Sequence, residues 1–513
     1  MILGMTDYLR WYATYTPDAA ALVVGDTAES YRTLWSRVCR LANAFIGLGI
    51  ARGDRIAIFM RNRCEFIETY HAAACIGATV VPLNFRYLPN ELAQVVNHAE
   101  ASGLVYEHGL SDLVASARPS INTIRRYIET GSLVQEDALS FEALIAQSSE
   151  SPPRGKGKPA DVYFQGYTSG TTGPPKGCVV THETFLDCLL RIAALFEITD
   201  RDVELAAAPL FHESVAIFAL TQLLRGGTVV LAEDFSPPKI YQAIQDRRVT
   251  WSFLVPTMWS TLVNDESRRH YETRSLRLLL SGGSPLLTAT KDALLAAFPD
   301  AGLNEFYGAT EMGLVTNLPP RDQKRKTRSV GKPVAGYYIE LRDNEGQSVA
   351  VGEPGEIFVG GATLLREYFK NPQATEAARG LDGFLSLGDI GRFDNEGYLY
   401  IVDRKKDMII SGGENIFASD IEEILCSHPA VHLAAVVGAP DPNWGEIVVA
   451  AVTLRANGSA TEDELIHHCK RFLSGFKVPK RIDLRPQLPL STFGKVLRRE
   501  VRRDYWRGHT VSV

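Results

Sequence analysis

Residues 167–177 form a run of side chains suited to binding phosphate. The segment reads YTSGTTGPPKG and contains four Ser and Thr hydroxyls, three glycines and one lysine. Glycines allow backbone amides to approach a ligand closely, and hydroxyls and a lysine can donate to phosphate oxygens. We therefore expect a loop that wraps a polyphosphate. The alternative interpretation is a flexible surface loop.

This run is not a P-loop. A P-loop has two glycines separated by four residues, followed by Lys and Ser or Thr at the start of a helix. Here Pro175 stands five residues after Gly170, and Gly177 follows Lys176. The segment instead resembles the phosphate-binding loop of the adenylate-forming superfamily, which includes acyl-CoA synthetases, carrier-loading adenylation enzymes and beetle luciferases. That resemblance implies that ATP is bound by the loop residues Thr168, Ser169, Gly170, Thr171, Thr172 and Lys176.

Residues 304–311, NEFYGATE, resemble the aromatic-Gly-x-Thr-Glu segment of the same superfamily. The resemblance implies that Tyr307 stacks on adenine and that Thr310 donates to the α-phosphate. Glu311, with Thr168, is then expected to hold Mg²⁺ on the phosphates. The backbone around adenine is implied to come from Gly283, Ser284, Pro285 and Gly308.

Two later segments supply the remaining nucleotide contacts. Asp389, in SLGD, matches the aspartate that holds the ribose hydroxyls, and Arg404 is the other implied ribose contact. The superfamily usually has Thr where this chain has Leu387, which puts one hydroxyl contact in doubt. Residues 489–498, PLSTFGKVLR, resemble the C-terminal loop that carries the catalytic lysine, here Lys495. Joining a carboxylate to a phosphate brings two anions together, and a cation placed there contributes about 10²–10³ in rate.

A charged run, DRKKD at residues 403–407, follows an apolar strand and predicts a linker. The resemblance implies a hinge at Lys406, about which a small domain swings after adenylation. Gly412 and Gly413 then border a passage for the pantetheine arm of CoA, because they have no side chain to obstruct it. One site that serves two half-reactions explains why a hinge is needed.

The pocket for the acid is implied by the same resemblance. Its residues are expected to be His212, Glu213, Pro256, Trp259, Gly308, Ala309, Gly313 and Leu314. His212 joins Lys495, Glu311 and Thr310 in the implied catalytic set, although its usual place is the pocket wall, as a gate or packing group.

Glu213 is unexpected in such a pocket, because a carboxylate repels an anionic acid unless something neutralises it. One hypothesis is that Glu213 pairs with a cationic group on the acyl chain. The chain has some similarity to carnitine- and crotonobetaine-CoA ligases, which also carry an acidic residue there, and to medium- and long-chain fatty acyl-CoA ligases. The alternative is that Glu213 turns outward or pairs with a structural Arg or Lys.

Composition limits the class of protein. The 513 residues are 45% hydrophobic and 22% charged, with a net charge of −6, so no nucleic-acid partner is expected. Basic clusters at residues 324–326 and around Arg498 are expected to be solvated faces, or else to contact phosphates of an anionic cosubstrate. Seven scattered cysteines indicate a reducing compartment. The longest apolar run, residues 72–83, is too short to span a bilayer, so the protein is expected to be cytoplasmic.

The pattern along the chain predicts an α/β fold. Apolar strand-like runs alternate with helical patterns from Ala20 to about Ile401, which is typical of parallel α/β sheets, and short β-rich patterns dominate residues 337–400. With the resemblance, we expect an N-terminal domain of parallel α/β sheets with a small β-barrel-like subdomain (1–402), a hinge (403–407) and a small mobile α+β domain (408–513). Capping boxes are predicted at residues 419–422 and 461–464.

The sequence therefore predicts an AMP-forming acyl-CoA synthetase. It uses MgATP to convert a carboxylic acid to an acyl-adenylate and then transfers the acyl group to CoA, as a monomer or homodimer. One alternative is a stand-alone adenylation enzyme that loads an amino or aryl acid onto a carrier protein. Another is a nucleotide-binding protein without turnover.

Overall fold

The computed structural model describes residues 4–131, 134–153, 157–168, 176–361, 364–380, 382–455, 458–491 and 495–507. The strands are β1 (Ala20–Val24), β2 (Thr27–Ser30), β3 (Arg55–Phe59), β4 (Thr79–Pro82), β5 (Ala101–Glu107), β6 (Arg126–Thr130), β7 (Leu139–Ser140), β8 (Val162–Thr168), β9 (Lys176–Thr181), β10 (Val203–Ala206), β11 (Thr228–Leu231), β12 (Trp251–Leu254), β13 (Leu278–Ser281), β14 (Gly302–Ala309), β15 (Gly313–Leu318), β16 (Ser329–Pro333), β17 (Tyr337–Arg342), β18 (Gly355–Gly361), β19 (Glu367–Tyr368), β20 (Asp389–Phe393), β21 (Leu399–Arg404), β22 (Ile409–Ser411), β23 (Glu414–Ile416), β24 (Val431–Asp441), β25 (Gly445–Leu454) and β26 (Arg481–Leu484). The α-helices are α1 (Met5–Tyr15), α2 (Tyr31–Gly47), α3 (Cys64–Ile76), α4 (Pro89–Ala99), α5 (Ser111–Ala117), α6 (Phe141–Gln147), α7 (His182–Leu195), α8 (Glu213–Leu224), α9 (Pro237–Arg247), α10 (Pro256–Asn264), α11 (Thr288–Ala297), α12 (Pro372–Ala378), α13 (Ala418–Ser427), α14 (Glu462–Lys470) and α15 (Arg498–Tyr505).

The largest sheet has thirteen strands in the order β17-β18-β20-β21-β16-β15-β14-β13-β12-β10-β11-β1-β2. The strands from β14 to β1 pair in parallel. From β14 to β17 every pairing is antiparallel. This antiparallel part contains the region in which the sequence predicted short strands, and β14 joins it to the parallel part.

A second sheet has eight strands in the order β19-β9-β8-β4-β3-β5-β6-β7. Strand β3 shows why its interior strands are apolar throughout. Ile56 and Ile58 point into the core that α2 and α3 share, and Ala57 and Phe59 point into the core under α4. Because alternate side chains face opposite sides of a sheet, a strand covered on both faces needs apolar residues at every position.

The third sheet contains only strands that follow Met408, in the order β23-β22-β25-β24, with β26 beside β25. Ile421 and Leu425 of α13 pack against Val436 of β24, so this unit has a core of its own. The fold is thus mixed α/β, with a large N-terminal sheet domain and a small C-terminal domain, as the sequence predicted. No helix in the described ranges combines the length and apolar character needed to cross a bilayer.

The two predicted capping boxes have different outcomes. Thr461 caps α14: its hydroxyl accepts from the Glu464 backbone amide at 3.3 Å, and the Glu464 carboxylate accepts from the Thr461 amide at 2.8 Å. The box at 419–422 is wrong, because α13 begins at Ala418 and Phe417 is its N-cap residue. The Ser419 hydroxyl donates instead to the carbonyl of Val402, and this contact joins α13 to the end of β21.

The hairpin of β14 and β15 depends on a close backbone contact at Gly308. The register shifts between Tyr307 and Gly308, where β14 bulges. A Cβ atom at Gly308 would lie 2.1 Å from the carbonyl oxygen of Gly313. Only glycine therefore allows the two strands to approach this closely, and the approach fixes the direction of the hairpin tip.

We predict that Gly308→Ala lowers the free energy of unfolding by about 1–3 kcal/mol, because the added methyl group forces two backbones apart. Gly47→Ala is the matched control: no atom lies within 4 Å of a Cβ there, and the residue ends α2. That control is expected to be neutral or to stabilise by up to about 1 kcal/mol. Urea unfolding of both variants checks this, and equal stability of the two would contradict it.

Candidate active site

The tip of the β14–β15 hairpin carries the predicted phosphate ligands. Residues 310–312 connect the two strands, and the Met312 amide donates to the Ala309 carbonyl at 3.0 Å. Gly313 follows with a φ of 65°, the left-handed conformation that closes a three-residue hairpin loop. Thr310 and Glu311 therefore lie on a short, well-defined turn beside Ala309 and Gly313.

Glu311 and Thr168 meet at the thiol of Cys178. The buried Cys178 side chain lies close enough to both of them for each to act on the pKa of its thiol, although Thr168 ends β8 and Glu311 lies at the hairpin tip. The Tyr368 hydroxyl also donates to the Glu311 carboxylate, at 2.8 Å. A carboxylate and a hydroxyl are hard oxygen ligands of the kind Mg²⁺ takes alongside phosphate oxygens. The pair therefore fits the role expected for it.

Asp389 is the acceptor at the centre of the site. It starts β20, directly opposite Arg404 at the end of β21. The Arg404 Nε donates to Asp389 Oδ1 at 3.0 Å, and the Tyr307 hydroxyl donates to Oδ2 at 2.8 Å. Burial and, second, the Asp389 charge raise the pKa of Tyr307 well above its usual value, so its hydroxyl remains a donor. Three predicted nucleotide residues are thus held in one hydrogen-bonded group.

Positive charges from separate segments surround Asp389. Burial and, next, repulsion from Arg404 lower the pKa of Lys495 to about 8, while Asp389 opposes that change. Burial and, second, repulsion from Arg404 also lower the pKa of Lys406, and Lys176 makes a weaker contribution. Lys176 lies 4.9 Å from the centre of the Tyr368 ring. Such a group of cations is suited to binding a polyanion, because the anion would relieve their mutual repulsion.

His212 and Glu213 stand at the start of α8. The His212 ring packs on Phe211, with 4.2 Å between ring centres. Burial and, second, Arg86 lower the pKa of His212 to about 3, so the imidazole is neutral at physiological pH. This position fits a packing group on a pocket wall better than a proton donor.

The pKa of Glu213 is raised well above its usual value by burial and, less strongly, by Glu311, while the neighbouring Thr310 opposes that change. Among the described residues, no Arg or Lys contributes to that pKa or forms an ion pair with Glu213. Its side chain is still partly exposed within the site. The alternative that Glu213 pairs with a structural Arg or Lys therefore finds no such residue in the described part of the chain.

The structure places other predicted pocket residues in the core. Trp259 is 1% exposed, packs between α9 and α11, and its Nε1 donates to the Leu280 carbonyl at 3.0 Å. Pro256 and Leu314 are also buried. Trp259 and Pro256 thus belong to the apolar face of α10 that packs into the core.

The remaining predicted residues lie on turns. Gly283, with a φ of 84°, follows β13 at its carboxyl end, and Ser284 and Pro285 continue that turn beside β14. Gly412 and Gly413 form the β22–β23 turn with φ values of 59° and 87°, and the Gly412 amide donates to the Trp444 carbonyl at 2.9 Å. Among the described contacts, the Gly412–Gly413 turn therefore contacts the C-terminal sheet and not the nucleotide residues.

Four predicted phosphate-loop residues lie outside the described residues: Ser169, Gly170, Thr171 and Thr172. Thr168 and Lys176 flank them and pair directly across β8 and β9. Two residues of the site were missed from the sequence, Cys178 and Tyr368. Neither belongs to a motif; only the pairing of β19 with β9 brings Tyr368 opposite Cys178 and next to Lys176.

The fold and these groups define an ATP-dependent, adenylate-forming class of enzyme. Residues 9–369 match the family model "AMP-binding enzyme", and residues 420–495 match "AMP-binding enzyme C-terminal domain". A feruloyl-CoA synthase of Amycolatopsis sp is 36% identical over 499 residues, 96% of this chain and 97% of that protein.

Two solved structures extend the comparison. ATP-bound MatB from Rhodopseudomonas palustris has a TM-score of 0.89 at 28% identity, covering 98% of this chain and 99% of that one. The o-succinylbenzoate CoA synthetase MenE from Bacillus subtilis, with its acyl-adenylate intermediate, has a TM-score of 0.86 at 30% identity, covering 96% and 97%. The chain belongs to the AMP-binding enzyme family. It is an AMP-forming acid–thiol ligase, which confirms the function predicted from the sequence.

We predict that Asp389→Asn weakens AMP binding about 10- to 100-fold, because a charged acceptor of two hydrogen bonds is lost. Asp394→Asn is the control. Asp394 follows the same strand, but it pairs with Lys326 at 2.7 Å and has no contact with Tyr307 or Arg404 among the described bonds. Calorimetric titration with AMP measures both variants. Unchanged affinity in Asp389→Asn would contradict the assignment.

Proposed function

We propose that the chain joins a carboxylic acid to CoA in two half-reactions at one site, with Lys495 as the catalytic cation of the first. The observation that carries the proposal is the position of Lys495. Its pKa responds to Arg404 and Asp389, so an amine of the small C-terminal domain acts on the acceptor group of the large N-terminal one. A cation from a separate domain can be present for one reaction and absent for the next.

In the first half-reaction a carboxylate oxygen attacks the α-phosphorus of ATP, and the bond from that phosphorus to pyrophosphate breaks. Lys495 stabilises the charge that accumulates on the oxygens around the α-phosphorus. Asp389, Arg404 and Tyr307 hold the nucleoside. Glu311 and Thr168 would hold Mg²⁺ on the phosphates, where the ion would neutralise part of their charge.

In the second half-reaction the CoA sulfur attacks the acyl carbonyl, the carbon–oxygen bond to AMP breaks, and AMP leaves. We place the hinge at residues 403–407, between domains 1–402 and 408–513. Rotation there removes Lys495 and brings the Gly412–Gly413 turn to the site. CoA relatives support CoA over a carrier protein as the acceptor. A cytoplasmic location is proposed because ATP and CoA are both available there.

Lys495→Ala is expected to lower acid-dependent pyrophosphate exchange by about 10²–10³ and to spare CoA attack on supplied acyl-adenylate. Lys495→Arg should retain part of the exchange.

Since the protonated amine is the active form and its pKa is about 8, kcat/KM for ATP should fall as pH rises through that value, and this fall should vanish in Lys495→Arg. Lys406→Pro, which stiffens the hinge, is the opposing control and should impair the CoA step alone. Equal loss of both steps in Lys495→Ala would contradict the role.

For the acid, we propose a substrate with a cationic or hydrogen-bond-donating group that Glu213 receives. Support comes from the partly exposed Glu213 carboxyl, which has Thr310 as its neighbour and no cation acting on it among the described residues. Ferulate, the acid in the name of one relative, offers a phenolic hydroxyl of this kind. A quaternary-ammonium acid is the cationic alternative.

Glu213→Gln should lower AMP release with the preferred donor-bearing acid about tenfold or more relative to an aliphatic acid, because the amide still accepts a hydrogen bond but cannot ionise to form a charge-assisted one or an ion pair. The panel contains ferulate, a quaternary-ammonium acid, a dicarboxylic acid and aliphatic acids. Glu204→Gln, which changes a buried carboxyl in β10, controls for stability. An unchanged ranking of acids in Glu213→Gln would rule the proposal out.

A further inference from the structure

Arg498 makes a group of charge-assisted hydrogen bonds three residues after Lys495. Its Nε and Nη2 donate to the two carboxylate oxygens of Glu422 at 2.8 and 2.6 Å, and its Nη1 donates to Asp403 Oδ1 at 2.7 Å. Only 18% of the Arg498 side chain is exposed. A guanidinium that binds two carboxylates in this way has little freedom to move.

Asp403, which accepts this hydrogen bond from Arg498, is the first residue of the hinge segment. Its side chain is 1% exposed, and the backbone amides of Arg404 and Ser419 donate to it at 2.8 and 3.3 Å. Its neighbour Arg404 holds Asp389 in the nucleotide site. Two adjacent hinge residues thus point in different directions, one to the nucleotide site and one to the C-terminal domain.

The carboxylates that pair with Arg498 lie on both sides of Lys406. Asp403, the penultimate residue of β21 in the large sheet, precedes Lys406. Glu422 of α13 in the small domain and Asp407, whose Oδ2 lies 3.6 Å from the Arg498 Nη1, follow it. Rotation about Lys406 would carry Arg498 with α15 and Glu422, and would take it away from Asp403. The buried Asp403 carboxylate would then lose both Arg498 and the Ser419 amide, which is unfavourable unless water or another cation replaces them.

We propose that Arg498 is a positioning residue, a clamp that fixes the Lys495 loop at the nucleotide site through Asp403 and opens when the small domain rotates. The inference rests on the proposed two-step function. Backbone contacts hold Lys495 close to the clamp: the Leu497 amide donates to the Pro489 carbonyl at 2.9 Å, the Ser491 amide donates to the Lys495 carbonyl at 2.7 Å, and the Lys495 amide donates to the Ser491 hydroxyl at 3.1 Å. Loss of the clamp therefore misplaces the lysine without changing its chemistry.

Other contacts between the two domains differ in kind. The Thr288 hydroxyl donates to Glu423 at 2.7 Å, and Arg328 lies 3.3 Å from Asp420, with both charged side chains more than a third exposed. Exposed pairs contribute little to holding an arrangement. Among the described contacts, the Arg498–Asp403 pair is the buried ionic link across the hinge.

Arg502 provides a matched control. It lies one turn later on α15, and its Nη2 donates to Glu446 at 2.6 Å. Glu446 is in β25, so this pair lies within the small domain and does not cross the hinge. Arg502→Gln therefore removes an equivalent ion pair from the same helix while leaving the proposed clamp in place.

The experiment measures both half-reactions in the full-length variants Arg498→Gln, Arg498→Lys, Asp403→Asn and Arg502→Gln. Adenylation is followed by pyrophosphate exchange, and the second step by CoA attack on chemically made acyl-adenylate, with the best acid from the panel above. Arg498→Gln and Asp403→Asn should lose about 10- to 100-fold in exchange, because a small displacement of a catalytic group has that effect. Their CoA step should stay within about threefold of wild type, Arg498→Lys should be intermediate, and Arg502→Gln should match wild type.

Equal effects on both steps in Arg498→Gln, or the same pattern in Arg502→Gln, would overturn the clamp. If Arg498→Gln does not fold, the rates of the two half-reactions in Asp403→Asn and Arg498→Lys test the clamp in the same way. The proposed function fails separately: wild-type protein without acid-dependent exchange for any acid would remove it. If wild-type protein shows exchange but the variants keep the wild-type ratio of adenylation rate to CoA-step rate, only the clamp proposal is ruled out.

Discussion

Electrostatic repulsion among cations is the constraint on which the site depends. Arg404 lies close enough to Lys406 and Lys495 to lower the pKa of both, and the carboxylates of Asp389 and Asp407 oppose that change in both lysines. A polyphosphate would remove this repulsion, so in the proposed mechanism nucleotide binding and the docking of Lys495 in the site would stabilise each other. When pyrophosphate leaves, much of the negative charge leaves with it. In the proposed mechanism the attraction that holds Lys495 in the site then weakens at the stage when the lysine has to leave.

In the proposed mechanism the hinge converts this electrostatic change into movement of the small domain. Arg404 and Asp403 are adjacent, and each forms a buried or half-buried ion pair, the first with Asp389 and the second with Arg498. Both residues lie at the end of β21, so a single peptide unit separates the ion pair in the nucleotide site from the ion pair to α15. Buried ion pairs suit this purpose, since they add little net stability but define one geometry sharply. The clamp would thus select an arrangement rather than strengthen the fold.

The sequence predicted what local pattern determines and missed what distant contacts determine. The apolar runs at residues 55–59 and 79–82 are strands with those bounds, because burial on both faces leaves an uninterrupted apolar signal. The basic clusters were expected to be solvated faces, but each contains a buried ion pair. Lys326 pairs with Asp394, and Arg498 pairs with Asp403, which lies 95 residues earlier in the chain. Ser419 bonds a strand carbonyl instead of capping a helix. Partners so distant in the chain leave no local pattern, and the same is true of Cys178 and Tyr368.

The proposed wall of the acyl pocket contains two groups whose charged forms are disfavoured by burial. Burial lowers the pKa of His212 to about 3, so the imidazole is uncharged at physiological pH, and it raises the pKa of Glu213 well above its usual value, which favours the uncharged carboxyl. In the proposed mechanism this reduces the repulsion that an anionic acid meets on its way to the phosphates, and Lys495 is the cation that acts on its carboxylate. Selection among acids then has to depend on shape and on hydrogen bonds. A substrate that brings its own cation to Glu213 is the exception, because its charge would favour the ionised carboxyl and turn a neutral contact into an ion pair.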